Sequence, residues 1–149
     1  MMKRLEVLLL LITIWLILTN NTTINPNSKA LAAPTKHFVT PSGNIYCALI
    51  GEKLNFLRCE IGSMLNPLPP QPYPSYCEFD WGAGLLLPQQ GKPEILCISD
   101  TVAGSDYTLV YGSVWKNTGF KCLSQTTGLK CTNSSGQGFF LSREKWIVF

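Results

Sequence analysis

From Pro34 onward, short runs of apolar residues alternate with polar ones, and glycine, proline and asparagine separate these runs. Alternation with a period of two places the apolar side chains on one face of an extended chain, as in half-buried β-strands. No segment after Pro34 shows a helical period with capping residues. The pattern predicts an all-β fold of about eight to ten short strands, arranged as a small antiparallel sandwich or partly open barrel of hairpins.

The clearest predicted hairpin joins a strand at residues 45–51 to a strand at residues 55–61. Each strand carries a cysteine on its apolar face, Cys47 in the first and Cys59 in the second. Placing these cysteines opposite each other leaves residues 52–54 as the loop, which is a common length for a hairpin connection. A disulfide between the two strands, on the buried face, is therefore expected.

A second hairpin is predicted from two segments, residues 119–122 and 128–131, which both read Gly, apolar, Lys, Cys. Their cysteines, Cys122 and Cys131, lie on the apolar faces of the two strands. So short a match does not establish a repeat architecture, and hairpin chemistry accounts for it. Further strands are predicted at residues 84–87, 94–98, 108–111, 138–141 and 146–149.

Residues 65–76 contain five prolines, which cannot take part in a central sheet ladder and favour an extended surface segment. This segment is interpreted as a crossing held against the surface. The alternative interpretation is an exposed recognition loop, as in a secreted enzyme inhibitor.

The mature part of the chain contains an even set of six cysteines: Cys47, Cys59, Cys77, Cys97, Cys122 and Cys131. In an exported chain such a set predicts three disulfides. The two hairpins leave Cys77 to pair with Cys97, and this nearest-neighbour scheme is a hypothesis among many connectivities. Zinc is not expected, because the cysteines are widely spaced and the chain has one histidine, His37.

The N-terminus has the pattern of a signal peptide. Lys3 and Arg4 precede an apolar run at residues 7–18, and Ala30-Leu31-Ala32 matches a small-x-small cleavage site. We expect a signal peptide at residues 1–33 and one disulfide-rich β domain at residues 34–149. The predicted location is secreted or periplasmic, and the alternative is a domain that stays anchored by its N-terminus.

The formal net charge of the chain is +3, and removal of the signal segment lowers it to about +1. Basic residues occur singly along the mature part. This pattern predicts no nucleic-acid partner and no membrane partner after cleavage. The expected partner is an unknown protein or an envelope polymer, and the domain is expected to be a monomer.

Few residues suggest catalysis. His37 has no adjacent nucleophile and is expected to be an exposed residue near the mature N-terminus. Glu78 and Asp80 share one face if their segment is extended, and Asp100 and Asp106 bracket a loop, so a carboxylate pair remains an alternative. Several aromatic residues form either the core or a binding face, with the core favoured: Trp81, Tyr107, Tyr111, Trp115 and Trp146.

Several short motifs extend from Phe38 to the C-terminus. They are Phe38, Pro41-Ser42-Gly43-Asn44-Ile45, Cys47, Cys77, Asp80-Trp81-Gly82, Cys97, Asp100-Thr101, Tyr111-Gly112, Cys122, Gly128, Cys131, Asn133, Gly136, Gly138-Phe139 and Ser142-Arg143. In these motifs the chain resembles a family of exported bacterial proteins that is catalogued as a domain of unknown function. The resemblance implies a bacterial, exported origin and implies no activity. Members of that family often have histidine where this chain has Gln137.

These observations predict an exported, non-enzymatic domain that binds or supports a component of the cell envelope or the extracellular space. No catalytic residue, metal ligand or cofactor is expected, and the six cysteines are the residues with an assigned chemical role. The alternatives are a small secreted hydrolase that uses a carboxylate pair and a secreted enzyme inhibitor.

Overall fold

The computed structural model of the protein describes residues 35–70 and 74–149, which all belong to one compact unit. The described residues form ten β-strands and no helix, so none of their segments is a helix that could cross a membrane. The expected signal peptide at residues 1–33 lies outside the described residues.

The strands form two antiparallel sheets of five, and in each sheet strands that follow one another in sequence are neighbours. The first sheet contains β1 (His37–Val39), β2 (Ile45–Ile50), β3 (Phe56–Ile61), β4 (Asp80–Pro88) and β5 (Glu94–Ile98). The second contains β6 (Val114–Asn117), β7 (Phe120–Gln125), β8 (Gly128–Thr132), β9 (Gly138–Leu141) and β10 (Trp146–Val148). The described strands do not close into a barrel.

One hydrophobic core lies between the two sheets, and the alternation of residue types builds it. In β2, for example, Ile45, Cys47 and Leu49 are buried while the residues between them are partly exposed. The second sheet contributes the inward side chains Phe120, Leu129, Phe139 and Leu141 to the same core. The predicted all-β, disulfide-stapled sandwich is confirmed.

Three disulfides join Cys47 to Cys59, Cys77 to Cys97 and Cys122 to Cys131, which are the pairs of the nearest-neighbour scheme. The first and third connect residues that are directly opposite in β2–β3 and β7–β8, inside the core. The second ties the segment before β4 to β5 and is partly exposed. Three disulfides indicate an oxidising environment.

Some local predictions were wrong. The predicted strand at residues 108–111 is absent; Thr108 makes one isolated bridge, to Val39 of β1, because only main-chain bonds from Tyr107 and Leu109 reach that strand. Two strands that the pattern did not predict, β1 and β6, are too short for a clear alternation. Glu78 is not on a strand face with Asp80, since β4 begins at Asp80.

The two sheets are topologically equivalent. In each sheet a disulfide joins the second strand to the third, and the fourth strand places a glycine beside the second cysteine of that disulfide. These glycines are Gly84 and Gly138, and a Cβ on either would overlap the carbonyl oxygen of Cys59 or Cys131 respectively. The same local design is therefore used twice.

The outer face of the first sheet holds a loop of the chain itself. Arg58 and Glu60 of β3 point away from the core, are buried and form an ion pair with each other. Arg58 also donates to the Asp100 carboxylate at 2.9 Å, and Glu60 accepts bonds from Thr101 Oγ1 at 2.6 Å and Val102 N–H at 2.9 Å. The loop after β5 is thus fixed onto this face by charge-assisted bonds.

Candidate functional site

Three turns and one segment of the connection between the sheets line a cleft of about 260 Å³ at one end of the sandwich. The turns follow β1, β7 and β9, and Tyr111 comes from the connection. Hydroxyl and amide groups dominate the lining, from Thr40, Ser42, Asn44, Gln125, Thr126, Thr127 and Ser142. Arg143 and Glu144 add one positive and one negative charge.

The turn after β1 is held by its own side chains. The buried Thr40 exchanges main-chain bonds with Ile45 and Gly43, and its hydroxyl also accepts from Ile45 N–H at 3.3 Å. Ser42 Oγ accepts from Asn44 N–H at 3.4 Å. Gly43 has a φ of +67°, which glycine adopts without strain. The polar groups of this turn are therefore presented from a fixed backbone.

The turn after β9 owes its shape to Ser142. Its hydroxyl accepts N–H bonds from Glu144 at 3.3 Å and Lys145 at 3.1 Å, and its main-chain N–H donates to Lys145 O at 2.9 Å. This hydroxyl-centred turn leaves Arg143 at the cleft. The Arg143 side chain is exposed and makes no ion pair or hydrogen bond within the described residues, so its guanidinium is available to a ligand.

The turn after β7 is a two-residue connection, Thr126 and Thr127, between the paired residues Gln125 and Gly128. Gly128 has a φ of +148°, and a Cβ there would come within 2.7 Å of the main-chain oxygen of Leu141. Glycine is therefore required where this turn meets the neighbouring strand. Thr126 and Thr127 line the same cleft as Arg143.

The arrangement in the cleft is suited to binding. Arg143 supplies a cation with several donors for an anionic group, and the hydroxyls and amides supply both donors and acceptors. Among the described residues, Glu144 is the one carboxylate that lines the cleft, and His37 does not line it. Within residues 35–70 and 74–149, no group of three His, Cys, Asp or Glu side chains is placed to hold a metal ion.

The carboxylates considered for hydrolysis are not in this cleft. Asp100 lies on the outer face of the first sheet, bonded to Arg58. Glu78, Asp80 and Asp106 are exposed, and none of them lines the cleft. His37 is exposed in β1, with its Nδ1 at 2.8 Å from Ser105 Oγ.

The aromatic candidates separate into two groups. Trp115 is buried in the core, and its Nε1–H donates to Thr35 O at 2.9 Å. Trp81 and Trp146 are partly buried, whereas Tyr107 and Tyr111 are exposed. Tyr111 is the member of the set that lines the cleft.

The described part of the proline-rich segment is held against the domain. Leu65 and Pro69 are buried, and Trp146 Nε1–H donates to Pro67 O at 2.8 Å. Leu68 is exposed. Residues 65–70 therefore form a pinned crossing, which favours the surface-crossing interpretation over a projecting inhibitor loop.

Sequence reasoning treated Ser42 and Asn44 as turn formers and did not connect them with Tyr111 or Arg143. The structure brings these four residues, from three of the motifs named above, into one cleft. A signal was present, because alternate turns of a meander lie at the same end of its sheet, which places the turns after β7 and β9 together. The sequence did not indicate which end of the first sheet would meet them.

Fold and site together define a disulfide-bonded β-sandwich with a polar cleft formed by turns. The chain belongs to a family of unknown function, DUF6636, which matches residues 20–149. No curated protein and no solved structure matches the chain.

Proposed function

We propose that this chain is an exported, non-enzymatic binding domain whose cleft holds an acidic sugar unit of an envelope polymer. The observation that carries the proposal is the cleft itself, in which the Arg143 side chain has no partner among the described residues and lies among hydroxyl and amide groups on braced turns. Its volume, about 260 Å³, is just below the usual range for small-molecule sites, which suits one sugar ring with a substituent.

Export is supported by two independent features. All six cysteines are in disulfides, which persist in oxidising compartments. The sequence also begins with a basic pair and an apolar run, followed by a small-x-small site. Peptide mapping of the exported protein under non-reducing conditions tests this part: a first residue at Ala33 or Pro34 supports it, and an intact Met1 contradicts it.

A sugar carrying a carboxylate matches the groups in the cleft. Tyr111 offers an exposed ring against which a sugar ring can stack, and Arg143 can accept the carboxylate in a bidentate pair. The hydroxyls of Ser42, Thr126 and Thr127 can bond to ring hydroxyls. Glu144 has no second carboxylate beside it among the described residues of the lining, which supports binding without hydrolysis.

The test is a calorimetric and NMR titration with uronic-acid oligosaccharides and with neutral oligosaccharides of the same length. We expect the acidic series to bind and to shift the resonances of Tyr111 and the turn after β9. Arg143→Ala should weaken binding by about tenfold or more, because it removes a charge-assisted contact. Lys53→Ala is the matched control, since Lys53 is an exposed cation of the β2–β3 loop.

Two outcomes would contradict the proposal. One is equal binding of neutral and acidic oligosaccharides with no effect of Arg143→Ala. The other is release of shortened oligosaccharides during the titration, which would assign a hydrolase instead.

A further inference from the structure

The charges of the domain are divided unequally between its two halves. Residues 35–113 contain four basic and seven acidic side chains, whereas residues 114–149 contain five basic and one acidic. Strand pairing then gathers three lysines that are separate in sequence: Lys116 lies directly opposite Lys121, and Lys130 follows on the next strand. Like charges directly opposite each other destabilise a sheet, so folding alone does not account for this arrangement.

The lysines share the outer face of the second sheet with exposed apolar side chains. Val114, Ile147 and Phe149 are 44%, 47% and 42% exposed. A shallow depression of about 240 Å³ lies in this face, lined by Lys121, Leu123, Lys130 and Thr132. We call the outer surface formed by these four residues and Lys116 the lysine face.

The equivalent face of the first sheet shows what covers such a surface. Arg58 and Lys130 each directly precede the third-strand cysteine of their sheet, so they hold equivalent positions. Arg58 is bonded to the carboxylate and carbonyl of Asp100, in a loop that continues with Val102. The face is therefore covered by a loop of the chain itself, and that loop brings one carboxylate, Asp100, to Arg58.

No described residue performs that role for the lysine face. The two ion pairs among the described residues both involve Arg58, so Lys116, Lys121 and Lys130 have no carboxylate partner there. Lys130 Nζ lies 5.1 Å from the centre of the Phe149 ring, and this contact holds the ammonium over the sheet. Glu144, the acidic side chain of this half, lines the cleft.

We propose that the lysine face docks a carboxylate-rich, extended segment of a partner protein. Side chains on one face of an extended segment repeat every two residues, at about 6.6–6.8 Å, which matches the spacing of the outward residues Lys121 and Leu123 along β7, and Lys130 lies opposite Leu123 on β8. Carboxylates of the segment contact Lys121 and Lys130, and its apolar side chains contact Val114, Leu123 and Ile147. This site is separate from the cleft and does not depend on the proposed sugar.

The test uses two probes, poly-L-glutamate and a random copolymer of glutamate and tyrosine, with binding measured by calorimetry at low and high salt. We expect both to bind at low salt, the copolymer more tightly because it adds apolar contacts, and both to weaken at high salt. Lys121→Glu/Lys130→Glu should lower the affinity by about tenfold or more. Lys121→Gln/Lys130→Gln should also lower the affinity for the probes, and it perturbs the fold less because it adds no negative charge.

The matched control is Lys53→Glu/Lys92→Glu, which changes the charge equally through exposed lysines of the first half. Retained binding in this control supports the lysine face, and an equal loss overturns it in favour of non-specific attraction.

Failure of either probe to bind overturns the proposal. So does binding to vesicles of phosphatidylglycerol and phosphatidylcholine without binding to the polypeptides, which would assign a membrane surface. Arg143→Ala should leave polypeptide binding unchanged.

Discussion

Phe38 and Trp115 occupy equivalent positions in the two sheets, and their rings pack together with centroids 5.1 Å apart. Each lies on the first strand of its sheet, opposite the first hairpin cysteine: Phe38 opposite Cys47, and Trp115 opposite Cys122. Both rings are almost fully buried. The contact joins the two repeated halves at the centre of the common core.

Trp115→Ala should lower the free energy of unfolding by about 3–5 kcal/mol, because it removes a large buried ring and the bond to Thr35 O. The measurement is urea unfolding under non-reducing conditions. Val114→Ala, at an exposed neighbouring position, should change the free energy by less than about 0.5 kcal/mol. Equal effects of the two substitutions would show that Trp115 does not support the core.

Arg58→Met should destabilise the protein by about 3–5 kcal/mol, because it leaves Glu60 buried without its counter-charge. Arg58→Met/Glu60→Leu should recover most of this loss, since both buried charges are then removed. Asp100→Ala should cost less than about 1 kcal/mol, because the Asp100 side chain is 77% exposed.

The readout for this series is chemical unfolding together with hydrogen exchange at the Val102 amide, whose N–H donates a hydrogen bond to the Glu60 carboxylate. We expect faster exchange at Val102 in Arg58→Met. Unchanged exchange with unchanged stability would mean that the ion pair does not hold the loop.

Gly138→Ala should destabilise the fold by at least about 3 kcal/mol, because the new methyl group overlaps the main-chain oxygen of Cys131 and backbone must move. Gly84→Ala should behave alike at the equivalent position. Gly62→Ala is the control, since its nearest contact is the Asn44 side chain at 3.3 Å and its φ is not positive. Thermal unfolding and the yield of folded protein measure the effect of all three substitutions, and similar values for the Gly62 and Gly138 variants would contradict the expected overlap.

The Cys77–Cys97 disulfide should be the first to react with a mild reductant. Cys77 and Cys97 are partly exposed, whereas Cys47, Cys59, Cys122 and Cys131 are at most 1% exposed. Because this disulfide closes the longest of the three loops, the chain-entropy model gives it the largest stabilisation, by roughly 0.7 kcal/mol over the shortest loop. The rate of reduction depends on access to the sulfur atoms, so this extra stabilisation does not protect the bond. Alkylation of newly freed thiols followed by peptide mapping gives the order, and early labelling of Cys122 or Cys131 would reverse it.

The hairpins were predictable because their information is local. Alternation sets the faces of β2 and β3, and the cysteines then fix the register at Cys47 opposite Cys59. Residues 108–111 have the same apolar character but lie beside a β1 strand of three residues, which is too short to give them a full ladder. Local pattern specifies a strand's faces and does not specify whether a partner strand is available.

The cleft and the lysine face were not predictable in the same way. The cleft combines turns that lie far apart in the chain, such as those of Ser42 and Arg143, and only the packing of the two sheets joins them. Lys116, Lys121 and Lys130 occur singly in sequence, so their density on one face is a product of strand pairing. A charge pattern read along the chain misses neighbours that are created across a sheet.

The repeated sheet design was visible in outline. Residues 84–87 read Gly-Leu-Leu-Leu and residues 138–141 read Gly-Phe-Phe-Leu, in the fourth strand of each sheet. The similarity between residues 119–122 and 128–131 is of a different kind, because these two segments are the two arms of one hairpin within the second sheet. The correspondence between the five strands of one sheet and the five strands of the other is hard to detect in the sequence, because loops of different lengths separate the matching strands.

A chain that contains two versions of one sheet can specialise them independently. The outward position before the third-strand cysteine serves assembly in the first version, where Arg58 secures a loop, and stays open to solvent in the second, where Lys130 stands. Exchanging the outward residues between the two sheets would therefore change which face holds a loop and which face is open to solvent, while the core residues stay the same. One sheet design used twice around a common core thus gives this small domain two chemically different outer faces.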